Sequence, residues 1–222
     1  MEKLNLRLND MPGKFIATEG IDLSGKSTQT QRIKSWLIAY QKLKVILTKE
    51  PTEGDIGKKI RAILKDKEVF DKTDPFYLQE LFARDSRIHV QNVIFPALKL
   101  GKIVCSDRFR SSLVFGAHKG NQIEIEMLME MNQRYLGNYF IWPDAIFIFD
   151  ISPQVAIERG KKQGRVFDEM EKLETLEAVR DNYLLLANLY PNCHIINAER
   201  TLEEVFTDVR TVIEALLTKK ST

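Results

Sequence analysis

Residues 20–27 read Gly-Ile-Asp-Leu-Ser-Gly-Lys-Ser, which satisfies G-x-x-x-x-G-K-[ST] without adjustment. Such a loop works only when an apolar strand delivers it and a helix opens within it. Its glycines let backbone N–H groups turn inward around a phosphate, and the helix N-terminus adds partial positive charge at the same spot. Both flanks are present: an apolar strand segment at 15–18 and a helical pattern that opens at Thr28-Gln29. The candidate phosphate cradle is Gly20, Ile21, Asp22, Leu23, Ser24, Gly25, Lys26, Ser27 and Thr28. Lys26 is expected to reach the β- and γ-phosphate oxygens of ATP, and the Ser27 hydroxyl to ligate Mg²⁺.

The rest of the chain repeats the strand-then-helix rhythm. Short apolar runs at 15–17, 45–47, 103–105, 145–149 and 194–196 predict buried strands. Helical patterns lie between them at about 27–43, 76–100, 123–137, 153–160, 170–190 and 201–218, with a shorter one at about 56–66. This alternation predicts an α/β fold: a five-stranded parallel sheet flanked by helices, with ligands at the carboxyl ends of the strands. No repeat or linker divides the 222 residues, so one domain over 1–222 is expected, with an N-terminal tail at about 1–12. The stretch 160–169, GKKQGRVFDE, is basic and has little to bury, which predicts a mobile loop.

Composition removes several other classes. Lys and Arg number 33 against 31 Asp and Glu, a net charge of +2, which gives no footprint for stable nucleic-acid or membrane-surface binding. No apolar run approaches the ~20 residues of a membrane span. The first dozen residues lack the apolar core of a signal peptide. Cys105 and Cys193 form neither a CxxC site nor a disulfide framework, so the reducing cytoplasm is the expected compartment. A GTPase would need a guanine reader such as N-K-x-D, and none is found; the chain is also short for an oligomeric motor ATPase.

The remaining strand ends narrow the class further. Strand 2 runs into Thr48-Lys49-Glu50-Pro51, strand 3 into Ser106-Asp107-Arg108-Phe109, and the helix between them carries Leu81-Phe82-Ala83-Arg84-Asp85-Ser86-Arg87. Together with Val179-Arg180-Asp181-Asn182-Tyr183 and Ile196-Asn197-Ala198, these segments resemble the thymidylate kinase family over about residues 14–215. The resemblance implies the P-loop kinase fold with a mobile lid at about 160–169. It also implies γ-phosphoryl transfer from ATP·Mg²⁺ to dTMP and a homodimer formed through the helix around 76–100.

Phosphate chemistry supports that direction. The acceptor is already a phosphate with a second pKa near ~6. It therefore needs no general base, and the site must instead hold two polyanions together. Lys26, Lys49, Arg108, Lys161, Lys162 and Arg165 meet that demand. Lys49 and Arg108 are expected on the acceptor phosphate, and Asp107 on a water of Mg²⁺. The resemblance places Asp22 near the acceptor sugar and Arg165 on the transferring phosphoryl, since the lid and not the P-loop carries the extra cation. It places Phe82 against the base, with an arginine about one turn onward at the base edge. Counting back from Gly101 and Asp107 favours Arg87 for that arginine. Glu50 and Ser112 complete the expected acceptor set. Phe115 and Gly116 stand where the family has a small residue and an aromatic, so part of the base and sugar pocket differs. Other nucleoside monophosphates remain open as acceptors, as does a deoxynucleoside with Glu50 as base. A nucleotide-dependent switch without turnover is the alternative from another class.

Overall fold

The structure is a computed structural model and describes residues 6–39, 41–117, 119–165 and 172–218. Each apolar run predicted as a strand is one: β1 Lys14–Glu19, β2 Val45–Lys49, β3 Ile103–Asp107, β4 Ala145–Asp150 and β5 Cys193–Asn197. They form one five-stranded parallel sheet in the order β2-β3-β1-β4-β5. Burial follows that order. After Lys14 every residue of β1 is buried, as are the first five of β4, because both lie inside the sheet with covered faces. Edge strand β2 is only half-buried along its length.

The helices are α1 Lys26–Ala39, α2 Asp55–Lys65, α3 Lys67–Lys72, α4 Pro75–His89, α5 Phe95–Lys99, α6 Ser112–Phe115, α7 Gln122–Leu136, α8 Pro153–Lys162, α9 Leu173–Leu189 and α10 Leu202–Thr218. Helix α1 lies on β1, β2 and β3, α10 lies on β4 and β5, and the two helices touch each other. Helices α5 and α9 contact β3 and β5, while α4 packs on α7 and on α2. The main core runs along the sheet through Phe15, Ile16, Val104, Phe147 and Phe149. A smaller cluster of Ile60, Ile63, Leu78 and Leu81 holds α2 against α4. Local chemistry sets several helix starts. The side chains of Asp66, Asp74 and Asn121 accept N–H bonds at the first turns of α3, α4 and α7. Thr201 and Glu204 form a reciprocal capping box ahead of α10.

Five features differ from expectation. The single helix expected over 76–100 is broken by a π-helical turn at Val90–Ile94 before α5. Pro96 explains the break: it has no N–H, and its ring crowds the carbonyl four residues back, so the hydrogen-bond ladder must be reset ahead of it. Helix α1 ends at Ala39, short of the expected 43, and Lys42 adopts φ 55° in the connection to β2. Helices α3 and α6 were not predicted; six and four residues long, they carry too few turns for a periodic pattern. The basic stretch expected as a loop from 160 instead begins as helix, since Gly160, Lys161 and Lys162 form the last turn of α8. Residues 166–169 of the expected lid and 1–5 of the expected tail lie outside the described residues, as do Met170 and Glu171.

Candidate active site

Strand β1 delivers the phosphate loop between its two neighbours in the sheet, β3 and β4. Gly20 has φ 140°, and a Cβ there would come within 2.6 Å of the Phe149 carbonyl at the end of β4, so only glycine fits. Lys26 opens α1, and its ammonium folds back onto the loop, 3.2 Å from the Ile21 carbonyl and 3.1 Å from Asp22 Oδ1. Arg159, on α8, steadies the outer side of the loop by donating to the Leu23 carbonyl at 3.2 Å and the Ala198 carbonyl at 2.9 Å.

The end of β3 meets this loop directly. Ser27 Oγ donates to Asp107 Oδ2 at 2.5 Å, and Asp107 Oδ1 is buried without a hydrogen-bond partner among the described residues. Among the described residues no cluster of three or more metal-ligating side chains exists. A hydroxyl and a carboxylate with one oxygen to spare are the hard donors that suit Mg²⁺ when substrate phosphates supply the remaining ligands. The residues present therefore fit the ion.

Arg108 joins the two loops. Its backbone N–H donates to the Thr18 carbonyl at 2.9 Å, and its φ of 69° turns the side chain toward the phosphate loop. Nη2 donates to Asp22 at 2.8 Å, and Nη1 to the Gly20 carbonyl and to the Tyr183 hydroxyl, both at 3.2 Å. Burial opposes its charge, but Asp22, Tyr183, Glu19 and Asp107 hold its pKa above the ordinary arginine value. Burial likewise opposes ionisation of Asp22, and the Arg108 and Lys26 charges overcome it, holding that carboxyl below its usual range. Burial and the Arg108 charge depress the Lys26 pKa against the pull of Asp22 and Asp107. Beneath them Glu19, the last residue of β1, accepts from the Phe109 N–H at 2.6 Å, the Tyr183 hydroxyl at 2.7 Å and Ser111 at 3.0 Å. Burial pushes the Glu19 pKa up, with Arg108 and these donors pulling it back.

Alongside lies a cavity of 960 Å³. It gathers Asp22, Glu50, Phe82, Arg108 and Ser112, expected around an acceptor, and Arg165, expected on the transferring phosphoryl. Two other expected residues lie elsewhere. The Lys49 ammonium sits on Glu53 at 2.6 Å and lines a separate 610 Å³ cavity with Ser27, Thr30 and Asp107. Arg87 is exposed, and its guanidinium donates to the Tyr135 carbonyl at 3.0 Å. Helical phase accounts for this correction: Ser86, four residues after Phe82, takes the place on the cavity wall, and one further step of about 100° turns Arg87 away.

Several contributors were not foreseen. Asp85 and His89, one turn apart on α4, brace the segment after β2: Asp85 accepts from the Thr52 N–H and hydroxyl at 2.7 and 2.6 Å, and His89 bridges Thr48 and Glu50. Their i,i+4 spacing on an otherwise apolar helix face was the available signal. Glu19 and Tyr183 meet across 164 positions of sequence, which no local pattern announces. Arg110 and Gln79, also on the cavity wall, were likewise missed.

Comparison with known proteins agrees with this geometry. The family model described as Thymidylate kinase matches residues 18–209. A protein named Probable thymidylate kinase from Pyrococcus horikoshii is 35% identical over 207 residues, covering 92% of this chain and 97% of its own length. One of the same name from Thermococcus kodakarensis is 37% identical over 210 residues, covering 91% and 98%. The Thymidylate kinase of Caldicellulosiruptor saccharolyticus is 35% identical over 213 residues, covering 95% and 100%.

Proposed function

The chain belongs to the thymidylate kinase family, and from that premise we propose that it transfers the γ-phosphoryl group of ATP to dTMP, giving dTDP and ADP. The observation that carries the reading is the position of Arg108, which touches both the phosphate loop and the acceptor cavity and so can grip the two substrates where they meet.

The chemistry asks for little beyond positioning and charge. An oxygen of the dTMP phosphate, ionised at neutral pH, attacks the γ-phosphorus; the bond to the β,γ-bridging oxygen breaks and ADP departs. Lys26 leaves Asp22 for the β- and γ-phosphate oxygens, and Arg108 turns from Asp22 to the acceptor phosphate. Asp22, released from both, is free for the acceptor sugar. Arg165 brings a further cation from the segment after α8, and Phe82 stacks on the base. Ser27 and Asp107 would hold Mg²⁺, which when bound neutralises charge on the triphosphate. Glu50 acts as a brace and not as a base. Its carboxylate accepts from the Arg110 N–H at 3.0 Å and pairs with His89 Nδ1 at 2.9 Å. Lys49 serves the acceptor phosphate only if it leaves Glu53.

The reading includes one kinase domain over 1–222 that works as a homodimer. Exposed Ile88, Val93 and Leu100 along α4, the π turn and α5 support an interface there. Among the described residues no helix is long and apolar enough to cross a membrane. A cytoplasmic setting is supported by two free cysteines whose thiols burial raises to about 12.

The test is ADP release from ATP and Mg²⁺ with each nucleoside monophosphate in turn and with free thymidine. Turnover highest with dTMP is expected. Turnover confined to thymidine would overturn the monophosphate acceptor, and no turnover with any of them would overturn the kinase reading.

A further inference from the structure

Two residues of the loop after β3 hold a positive φ without being glycine: Arg108 at 69° and Arg110 at 66°, on either side of Phe109. That region is unfavourable for a residue with a Cβ, and it persists only where surrounding contacts over-determine the backbone. Three successive N–H groups of the loop are held from outside it: Arg108 by the Thr18 carbonyl, Phe109 by Glu19 and Arg110 by Glu50. These bonds tie the loop to β1 and to the segment after β2. One side chain ties it to a third element.

The guanidinium of Arg110 lies in the core, against groups that do not line the acceptor cavity. Its Nη2 donates to the Ile141 carbonyl at 2.9 Å, and it sits 4.6 Å from the Phe109 ring and 4.1 Å from the Phe140 ring. Arg110 is 4% exposed, and burial pushes its pKa down to about 9, with Glu50 opposing. Packing alone would be met there at lower cost by an apolar side chain. Both sides of the grip are tied down. Phe109 packs edge-on against Phe15 of β1, 4.7 Å between centroids. On the far side the Trp142 N–H donates to the Arg7 carbonyl and its ring N–H to the Pro191 carbonyl, both at 2.8 Å. Arg7 donates in turn to the Asn138 carbonyl at 2.6 Å.

We infer that Arg110 is a positioning residue: it staples the loop after β3 to the segment before β4 and so keeps Arg108 aimed where the donor and acceptor phosphates meet. The inference rests on the kinase reading above and deepens it, since Arg110 acts through Arg108 and not on a substrate. Arg108 lies two residues earlier in the same loop, with Nη2 2.8 Å from Asp22 and Nη1 3.2 Å from the Gly20 carbonyl. Without the staple the positive φ of Arg110 can relax toward ordinary negative values, and a turn of the backbone there displaces Arg108. Phosphoryl transfer depends on cations already in place, so a small displacement of one of them slows the chemical step.

The test is a double-mutant cycle between Arg110→Met and Arg108→Ala, read as ADP release with dTMP. Methionine fills the space between the two rings while removing the hydrogen bond and the charge. Arg110→Met is expected to lower kcat about tenfold with the KM for dTMP within a few-fold, and to cost less than about twofold once Arg108 is already alanine. The same loss in both backgrounds is what a packing role alone would give, and it overturns the inference. A loss confined to KM, or no loss, overturns it as well. If Arg110→Met does not fold, as judged by thermal melting, Phe140→Leu removes one ring of the sandwich and takes its place, with a kcat loss of about three- to tenfold and the same coupling to Arg108 expected. A wild type that releases no ADP with any acceptor removes the kinase reading instead. Crystal structures of wild type and the folded variant then decide Arg110 separately. An Arg108 guanidinium moved beyond about 3.5 Å from Asp22 in the variant supports the staple, and an unmoved one overturns it.

Discussion

The two ends of the acceptor cavity are built on opposite terms. At the phosphate end the charged side chains are already paired: Lys26 and Arg108 share Asp22, and Glu19 lies within 4.0 Å of Arg108. Elsewhere on the cavity wall stands the half-buried Phe82 ring. Binding at the first end exchanges one set of ionic contacts for another, so it adds little net affinity and can be strongest where charge develops in transfer. Stacking on Phe82 breaks no such ionic contact, so it contributes affinity outright. One cavity thereby separates holding the acceptor from reacting with it.

Mutations can break this comparison. Lys26→Ala should lower kcat by about a hundred- to a thousandfold while dTMP affinity, followed by calorimetry, stays within a few-fold. A loss confined to KM would erase the distinction. On the other side, Phe82→Ala should raise the KM for dTMP by about tenfold or more with kcat nearly unchanged, since stacking on a base contributes about 1–3 kcal/mol of binding. A kcat loss of the same size would show that base contacts also drive the chemical step.

The smallest effect concerns the paired charges of the free protein. The Asp22 pKa is depressed, so its ion pairs stabilise the fold above the ordinary aspartate value of 3.8 and are lost as pH falls below it. Asp22→Asn should therefore melt about 2–4 °C lower near pH 7, roughly 1 kcal/mol, and the two melting curves should converge on acidification below about pH 4. Parallel curves across that range would mean that the Asp22 pairs are energetically idle before substrate arrives.

The sequence made the fold and the phosphate loop legible for a common reason: both depend on short-range pattern. Apolar runs marked β1 to β5, and the spacing of Gly20, Gly25, Lys26 and Ser27 is itself the motif. The acceptor side was legible only in part. Arg108 follows directly on a strand end, whereas Phe82 and Ser112 were singled out by the family resemblance; all three line the cavity. Arg87 could not be placed, because a single residue of helical phase decides between cavity wall and solvent. The same sensitivity holds in a strand, where neighbours point to opposite faces: Lys49, at the end of β2, reaches Glu53 and a separate cavity. Glu19, Tyr183 and Arg110 depend on long-range packing that brings together β1, α9 and the loop after β3, and no window of sequence contains it.

Edge placement of β2 has an implication for how such an enzyme can diversify. The phosphate loop grows from β1 and is wedged between β3 and the Phe149 carbonyl of β4, so most changes there disturb buried neighbours. Strand β2 has one neighbour, is half-buried, and leads into a segment held to α4 by Asp85 and His89. Substitutions along β2 therefore meet fewer buried neighbours than substitutions in the phosphate loop, and this scaffold can change that strand at a lower cost in stability.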